Sequence, residues 1–412
     1  MKTASLIQRS VALGATFTVC VTSLLAATPA TNITVAAYYF PNYHPTDPRN
    51  EKAHGKGWSE WEIVKAARPR FPGHAQPKVP LWGYTDESDP QVMAQKIASA
   101  ADHGIGVFIF DWYYYDDGLF LERGLERGFF GATNRHRLKF CLMWADHDYT
   151  EIFPFKPKLG KAPLLYSGKV TPATFDRMTD YIIATYFKHP SHWLVEGRPY
   201  FSIYDVGMLV GSFGSVTDTR AALDRFRAKT RAAGFPGLHL NAVVWGTPIL
   251  PGESAHADWK KLVPELGFDS LTSYVWTHHG ALREFPVSEY VEGRDRYFQH
   301  WERMLRDFSQ PYFPNVSMGW DSSPRTDQSE PFTQNHPYPF TPILVGNTPE
   351  QFREALQITK DRLLVATTTP KVVTINSWNE WTEGSYLEPD TVNGMKYLEA
   401  VRAVFGAGAT KP

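Results

Sequence analysis

Short apolar runs rich in Val, Ile and aromatic residues recur along the chain, each followed by a segment with the periodicity of a helix. They predict eight strands, at 33–40, 105–112, 138–144, 199–204, 238–245, 270–276, 312–320 and 372–378. Helical spacing follows at 89–103, 171–187, 218–233, 287–308 and 349–366, with shorter helices after the second strand and at 255–262. Such runs are typical of buried parallel strands. Eight alternations predict an α/β fold, a closed (β/α)8 TIM barrel.

Three long insertions interrupt this pattern, at 41–88, 145–170 and 321–346. Each follows a predicted strand, so each belongs to the face of a barrel where active sites lie. We therefore expect long loops after strands to cover the site.

The N-terminus has the pattern of a secretory signal peptide. Lys2 and Arg9 precede an apolar stretch, 11–27, and small residues near Ala27 and Ala30 offer a cleavage site. A membrane anchor is the alternative, but the stretch is short and weakly apolar for a span. The pattern predicts a signal peptide at 1–30 and a single catalytic domain at 31–412. We expect the protein to be secreted, extracellular or periplasmic, without stable membrane association after cleavage.

The charge balance bears on the binding partner, and the cysteine content bears on disulfide formation. The 42 Lys and Arg residues nearly balance the 43 Asp and Glu residues. That balance disfavours a nucleic-acid partner, because such binding rests on neutralised phosphates. Only Cys141 follows the predicted signal peptide, so no internal disulfide is expected.

Aromatic, carboxyl and amide side chains gather at the predicted strand ends, in a chain that is 14% aromatic with 13 Trp. Aromatic rings stack on sugar faces, while carboxylates and amides bind hydroxyl groups. Any single Trp is more often a core residue, but the agreement across eight ends favours a carbohydrate partner. The predicted substrate-binding residues are Tyr39, His44, Glu60, Trp61, Asp111, Trp144, Asp205, Tyr274, Trp276, Trp320, Trp378, Asn379 and Glu388.

Glu380 and Glu383 follow the eighth predicted strand and are the candidate catalytic pair. Cleavage of a glycosidic bond needs a group that protonates the leaving oxygen and a second group that acts at the sugar. Trp378 and Trp381 would exclude water and raise the pKa of an acid. Gly384 would allow a tight turn. On spacing alone, an exposed acidic turn at the start of the last helix is an equal alternative.

Residues 376–390, Asn-Ser-Trp-Asn-Glu-Trp-Thr-Glu-Gly-Ser-Tyr-Leu-Glu-Pro-Asp, resemble the signature of the WbsX-like family, relatives of the family 99 glycoside hydrolases, the endo-α-mannosidases. Residues 38–44, 55–61 and 71–77 resemble the family's first strand and first loop. At 144–147 the chain has Trp-Ala-Asp-His where the family usually has Trp-Ala-Asn-Glu. Because the third strand is expected to line the sugar site, this difference leaves the identity of the substrate sugar undetermined.

The resemblance implies a TIM barrel and a retaining glycoside hydrolase that needs no metal, and we expect no cofactor. It also implies that Glu380 is a base on the sugar 2-hydroxyl, through a 1,2-anhydro intermediate, and that Glu383 is the general acid/base. A double displacement with Asp111 or Glu380 as nucleophile is the alternative mechanism. A glycosyltransferase in polysaccharide assembly and a non-catalytic carbohydrate-binding barrel are the alternative functions.

Overall fold

The computed structural model describes residues 33–254 and 258–406. The predicted signal peptide at 1–30 therefore lies outside the described residues. All eight predicted strands are present, at β1 Thr34–Tyr39, β2 Val107–Tyr115, β3 Lys139–Trp144, β4 Arg198–Ile203, β5 His239–Val243, β6 Ser270–Thr272, β7 (Tyr312–Phe313 and Asn315–Ser317) and β8 Val372–Asn376. Each strand pairs in parallel with the next, and β8 pairs with β1.

Strand β7 closes the barrel with two separate segments. Its first segment pairs with β6 and its second with β8. Pro314 separates them, because a proline has no N–H to donate to a ladder. The carbonyl of Pro314 still accepts a hydrogen bond from the backbone of Thr374. The (β/α)8 TIM barrel predicted from the alternation of strands and helices is confirmed.

Alternate strand residues fill the interior of the barrel with polar groups. The hydroxyls of Thr272 on β6 and Thr374 on β8 lie 3.5 Å apart, although β7 separates the two strands in the sheet. Side chains of non-neighbouring strands can meet only through the interior, so both point inward. The Asn315 side chain donates to Thr374 at 3.2 Å, which pairs these buried polar atoms with each other.

Two short helices, α1 Pro48–His54 and α2 Trp61–Ala66, belong to the insertion after β1. The other helices are α3 Pro90–Asp102, α4 Pro172–Tyr181, α5 Val206–Phe213, α6 Val216–Ala232, α7 Trp259–Leu266, α8 Tyr290–Asp307, α9 Pro349–Val365 and α10 Lys396–Phe405. Single π-helical segments occupy Gly124–Phe129 and Ile182–Phe187. Asp89 caps the N-terminus of α3, because its side chain accepts a hydrogen bond from the backbone of Gln91.

Two helix boundaries differ from the prediction. The segment 287–308 begins with a short strand, Val287–Glu289, which pairs with Ile343–Val345. The pairing comes from the insertion after β7, so local periodicity could not reveal it. The helix placed at 255–262 instead spans Trp259–Leu266, where Asp258 provides the N-terminal cap. Residues 255–257 lie outside the described residues.

The predicted insertions meet above the barrel. The backbone of Phe155 donates to Arg325 at 2.8 Å, which joins the loops after β3 and β7. Thr382, after β8, donates to Glu60 in the loop after β1 at 2.6 Å. Within the described ranges, no helix is both long and apolar enough to cross a membrane.

Candidate active site

The segment after β8 turns sharply back on itself. Asn379–Glu380 pairs antiparallel with Ser385–Tyr386, and a single 3₁₀ turn, Trp381–Glu383, connects them. Gly384 follows with a φ of +64°, and a Cβ there would lie 2.7 Å from the Cβ of Asp321. The turn predicted from Gly384 therefore needs glycine for both its conformation and its space. This short hairpin presents Glu380 and Glu383 to one cavity.

That cavity lies at the carboxyl ends of the strands. Asp111, Tyr274, Glu380 and Glu383, four of the predicted site residues, line it. Sequence reasoning missed the rest of the wall, which consists of Phe40, Tyr113, Met143, Ala145, His147, Asp148, Tyr149, Thr150, Ile152, Phe153, Tyr204, Leu250, Pro251, Gly252 and Arg325. The wall combines aromatic rings with a few polar groups, as in sites that bind a sugar.

Arg325 connects the acidic side chains of this cavity. Its Nη1 donates to Glu383 at 2.6 Å, and its Nη2 lies 3.5 Å from Glu380 Oε2. It also donates to Glu60 from Nε at 2.8 Å. Glu60 therefore orients the guanidinium without lining the cavity. We call Asp111, Glu380, Glu383, Glu60 and Arg325 the cavity cluster.

In the part of the chain that the structure describes, hydrogen bonds reach only one oxygen of Glu383. The Tyr338 hydroxyl donates to Oε1 at 2.9 Å, and Oε1 also accepts the bond from Arg325. Neither Tyr338 nor Arg325 was predicted from the sequence. Both come from the insertion at 321–346, and the only signal there was a basic residue within a long loop on the active face. The arrangement leaves Oε2 of Glu383 for another partner.

Glu380 and Asp111 share a tyrosine. The Tyr274 hydroxyl lies 2.9 Å from Asp111 Oδ2 and 3.2 Å from Glu380 Oε1. Among the described residues, no group forms a hydrogen bond with Asp111 Oδ1 or Glu380 Oε2. Buried polar atoms are bonded in the great majority of cases, so two such atoms in one cavity point to a ligand.

Burial governs the protonation of these acids. It raises the pKa of Glu380 well above its usual range, and the neighbouring Glu383 adds to this rise while Arg325 opposes it. Burial also raises the pKa of Glu383, against the opposing effects of Arg325 and Tyr338. The pKa of Asp111 is likewise raised well above its usual range by burial. Carboxyl groups of this kind can hold a proton near neutral pH, which acid catalysis requires.

Four predicted site residues belong to a second acidic group instead. Tyr39 donates to Glu87, and Asn379 lies 3.2 Å from the same carboxylate. Glu388 accepts bonds from Trp378 at 2.9 Å and from Lys96 at 2.7 Å. We call Glu87, Glu388 and Lys96 the brace cluster. None of the four residues Tyr39, Trp378, Asn379 and Glu388 lines the cavity.

Three predicted tryptophans pack elsewhere and satisfy their indole N–H on backbone carbonyls. Trp61 donates to Thr85, Trp144 to Tyr114 and Trp276 to Asn315. They lie outside the cavity wall. Such contacts are those of packed core residues.

His44 and Asp205 also lie outside the cavity wall. His44 is fully buried, and burial lowers its pKa to about 4. Asp205 caps α5 by accepting from the backbone of Met208 at 2.8 Å. It also accepts from Ser254. These interactions give Asp205 a structural role at the start of a helix.

Trp320 lines a second, wider cavity between the ends of β7 and β8 and the starts of α9 and α10. The carboxylates there are already bonded to the protein. Asp321 accepts from His74 at 2.9 Å and from Gln76 at 2.7 Å. Asp390 accepts from Tyr386 at 2.9 Å. Because its acids are satisfied, this cavity offers less reactive chemistry than the one between Glu380 and Glu383.

A TIM barrel with two glutamates on the turn after its last strand has the architecture of a glycosidase. Comparisons with known proteins agree. A solved endo-α-mannosidase of glycoside hydrolase family 99 from Bacteroides thetaiotaomicron aligns with a TM-score of 0.51 and 15% identity, over 89% of this chain and 95% of that one. A solved glycoside hydrolase-like protein aligns with a TM-score of 0.58 and 15% identity, over 92% and 95%. At this identity the likeness is one of fold.

The family follows from the sequence match. A model of the family described as Glycosyltransferase WbsX matches residues 35–401, so the chain belongs to the WbsX family. The membership predicted from the motifs is confirmed. The chain is 28% identical over 381 residues to WxcX of Xanthomonas campestris pv. campestris, described as an uncharacterized protein, across 90% of this chain and 49% of that protein. It spans about half the length of the curated relatives that it matches.

Proposed function

We propose that this protein is a retaining glycoside hydrolase that acts on a poly- or oligosaccharide. The observation that carries the proposal is the pair Glu380 and Glu383, buried on one turn, held by one guanidinium and facing one aromatic-walled cavity. The glycosidase-like barrel supports the same class of activity. A binding module would have little use for two acids with raised pKa values beside oxygen atoms that accept no hydrogen bond from the described residues.

Glu383 is the proposed general acid/base. Its Oε1 is fixed by Arg325 and Tyr338, which leaves Oε2 to protonate the leaving oxygen of the glycosidic bond and later to activate water. Burial keeps its pKa raised, although Arg325 lowers it in part. Those two opposing effects suit a group that must first give and then take a proton.

Glu380 is the proposed base on the sugar 2-hydroxyl. Its Oε1 contacts Tyr274, and its Oε2 accepts no hydrogen bond from the described residues. Removal of the 2-hydroxyl proton lets that oxygen attack the adjacent carbon as Glu383 protonates the leaving group. A substrate that lacks the 2-hydroxyl is then inert, whereas turnover of that substrate would favour direct attack by a carboxylate.

We also propose that the protein acts outside the cytoplasm after removal of residues 1–30. The support is the sequence pattern of a positive start, an apolar stretch and small residues. Expression of the full chain in a secreting host, followed by mass measurement of the exported protein, tests this. A mature N-terminus near residue 31 is the expected result, and a full-length product in the cell would contradict it.

The deciding experiment is a reducing-sugar screen of the purified protein against α- and β-linked polysaccharides, with Glu383→Gln as the blank. Release by the wild type and not by the variant is expected. The family's description favours a glycosyltransferase as the second candidate. Sugar transfer from an activated donor to an acceptor, without release of reducing ends in the screen, would support that candidate and overturn the hydrolase.

A further inference from the structure

Tyr274 contacts two carboxyl groups but has one hydroxyl hydrogen to donate. Its oxygen lies 2.9 Å from Asp111 Oδ2 and 3.2 Å from Glu380 Oε1. A phenol donates once and accepts through its lone pairs. If both carboxyl groups were ionised, the Tyr274 oxygen would face one of them without a hydrogen between the two oxygens, and that contact would be repulsive. The geometry therefore requires a proton on Asp111 or on Glu380.

The surrounding charges decide which carboxyl group carries the proton. Arg325 Nη2 lies 3.5 Å from Glu380 Oε2. Among the described residues, the side chain of Asp111 shares a hydrogen bond with Tyr274 and has no cation partner in a salt bridge. A negative charge is more stable beside a guanidinium than without one. The charge thus belongs on Glu380 and the proton on Asp111.

The other acidic groups around this pair oppose a charge on Glu380 more than one on Asp111, so the assignment rests on the direct contact of Arg325 with Glu380. Glu383 faces both carboxyls, and Glu60 faces Glu380. The tyrosines that face them are neutral at ordinary pH, because burial raises their pKa values; they are Tyr38, Tyr43 and Tyr113. Arg325 is the cation that lowers the pKa of Glu380, and it contacts Glu380 directly.

We propose that Asp111 is a neutral positioning residue, which donates to Tyr274 so that Tyr274 donates to Glu380 and Glu380 stays ionised as the base. The inference rests on the proposed function of Glu380. During the reaction, Glu380 Oε2 takes the proton of the sugar 2-hydroxyl, whose oxygen bonds to the adjacent carbon. The leaving oxygen departs with the proton of Glu383, and Asp111 keeps its own proton throughout.

A spectroscopic test needs no substrate. The infrared difference spectrum between wild type and Asp111→Asn at pH 7 should contain the C=O stretch of a protonated carboxyl group. Aspartate labelled with ¹³C at the side-chain carboxyl should shift that band. A band that does not shift would place the proton on a glutamate, and the absence of a band would place no proton there. Either result overturns the proposal, even if the protein proves not to be a hydrolase.

Kinetics then test the role of the chain of bonds. An Asn amide can donate to Tyr274 as a protonated Asp does, so Asp111→Asn should lose about tenfold in kcat/KM. A nucleophile replaced by an amide would lose on the order of 10³-fold or more, which would overturn the proposal. Asp111→Leu, which cannot donate, should lose more activity than Asp111→Asn.

The pH profile separates this role from a merely structural one. Tyr274→Phe removes a donor to ionised Glu380, so the acidic limb of kcat/KM should move up by about one pH unit. Tyr338→Phe is the matched control, because it removes one hydroxyl from Glu383 instead. It should move the alkaline limb and leave the acidic limb in place. An acidic limb that does not move in Tyr274→Phe would overturn the proposal.

Discussion

Residues 378–383 divide between two buried acidic groups. Trp378, Asn379 and Trp381 contact the brace cluster, whereas Glu380, Thr382 and Glu383 belong to or contact the cavity cluster. Both clusters set buried carboxylates around one cation, Lys96 in the first and Arg325 in the second. Burial and charge alone would therefore make the two look alike.

The clusters differ in how completely their oxygen atoms are bonded. Both oxygens of Glu388 accept bonds, from Trp378 and Lys96 on Oε1 and from Trp381 on Oε2. Both oxygens of Glu87 also accept bonds. In the cavity cluster, one oxygen of Asp111 and one of Glu380 have no hydrogen-bond partner among the described residues. A satisfied buried acid stabilises the fold, and an unsatisfied one is available to a substrate.

The largest expected effect comes from exchanging one acid in the cavity cluster. Glu380→Gln should lower kcat/KM by about 10³-fold or more, because the base is lost. The free energy of unfolding of this variant at pH 7 should stay the same or rise by about 1 kcal/mol. Burial raises the pKa of Glu380 in the folded protein, so its charge lowers stability at any pH above the pKa that Glu380 has in the unfolded chain. Initial rates and denaturant unfolding measure the two quantities.

Glu388→Gln is the matched variant in the brace cluster. It places an amide N–H against an indole N–H and weakens the contact with Lys96, so it should lower the free energy of unfolding. A variant Glu380→Gln that lost stability as Glu388→Gln does, with activity retained, would remove the distinction between the clusters.

The sequence predicted the barrel and family, because both depend on patterns along the chain. Strand ends could be located from apolar runs, but the side that each terminal aromatic faces could not. Trp144 packs on Phe175 of α4, and Trp276 packs on Tyr290 of α8. Successive strand residues face opposite sides, so one position decides between the cavity and the helix layer. Asp111 and Tyr274 lie on the cavity side.

Arg325 and Tyr338 could not be predicted for a different reason. They come from a long insertion whose path depends on contacts with the loops after β1 and β3. No local period places such residues. The roles predicted for Glu380, Glu383 and the substrate-binding residues stay predictions until activity is measured.

The next expected effect comes from the brace cluster, through its cation. Lys96→Met leaves two buried carboxylates, Glu87 at 3.6 Å and Glu388 at 2.7 Å, without their partner. Removal of one member of a buried pair costs about 3–5 kcal/mol of unfolding free energy, which denaturant titration measures. Lys229→Met is the control, because Lys229 also contacts two carboxylates, of Asp176 and Asp180, but is partly exposed. That variant should lose about 1 kcal/mol or less. Equal losses in the two variants would show that burial of Lys96 does not increase its contribution to the free energy of unfolding.

The smallest effect concerns the proton of the brace cluster. Lys96 is a single cation between two carboxyl groups, so it can neutralise the charge of only one of them. Burial raises the pKa of the other, Glu87, to about 7. Because this pKa is raised on folding, the native state binds the extra proton between about pH 4.5 and 7. Stability from this group is present at low pH and is lost as the pH rises through that window, by on the order of 3 kcal/mol.

Glu87→Gln isolates this contribution. The free energy of unfolding of the wild type minus that of the variant should fall as the pH rises from 5 to 8, whatever the variant costs at pH 5. Denaturant unfolding at four or more pH values gives the difference. A difference that stays constant across this range would mean that Glu87 is ionised throughout, and that Lys96 lies between two negatively charged carboxylates. The brace cluster would then carry an uncompensated negative charge as the cavity cluster does. The two clusters would differ only in how completely their carboxyl oxygens are hydrogen-bonded.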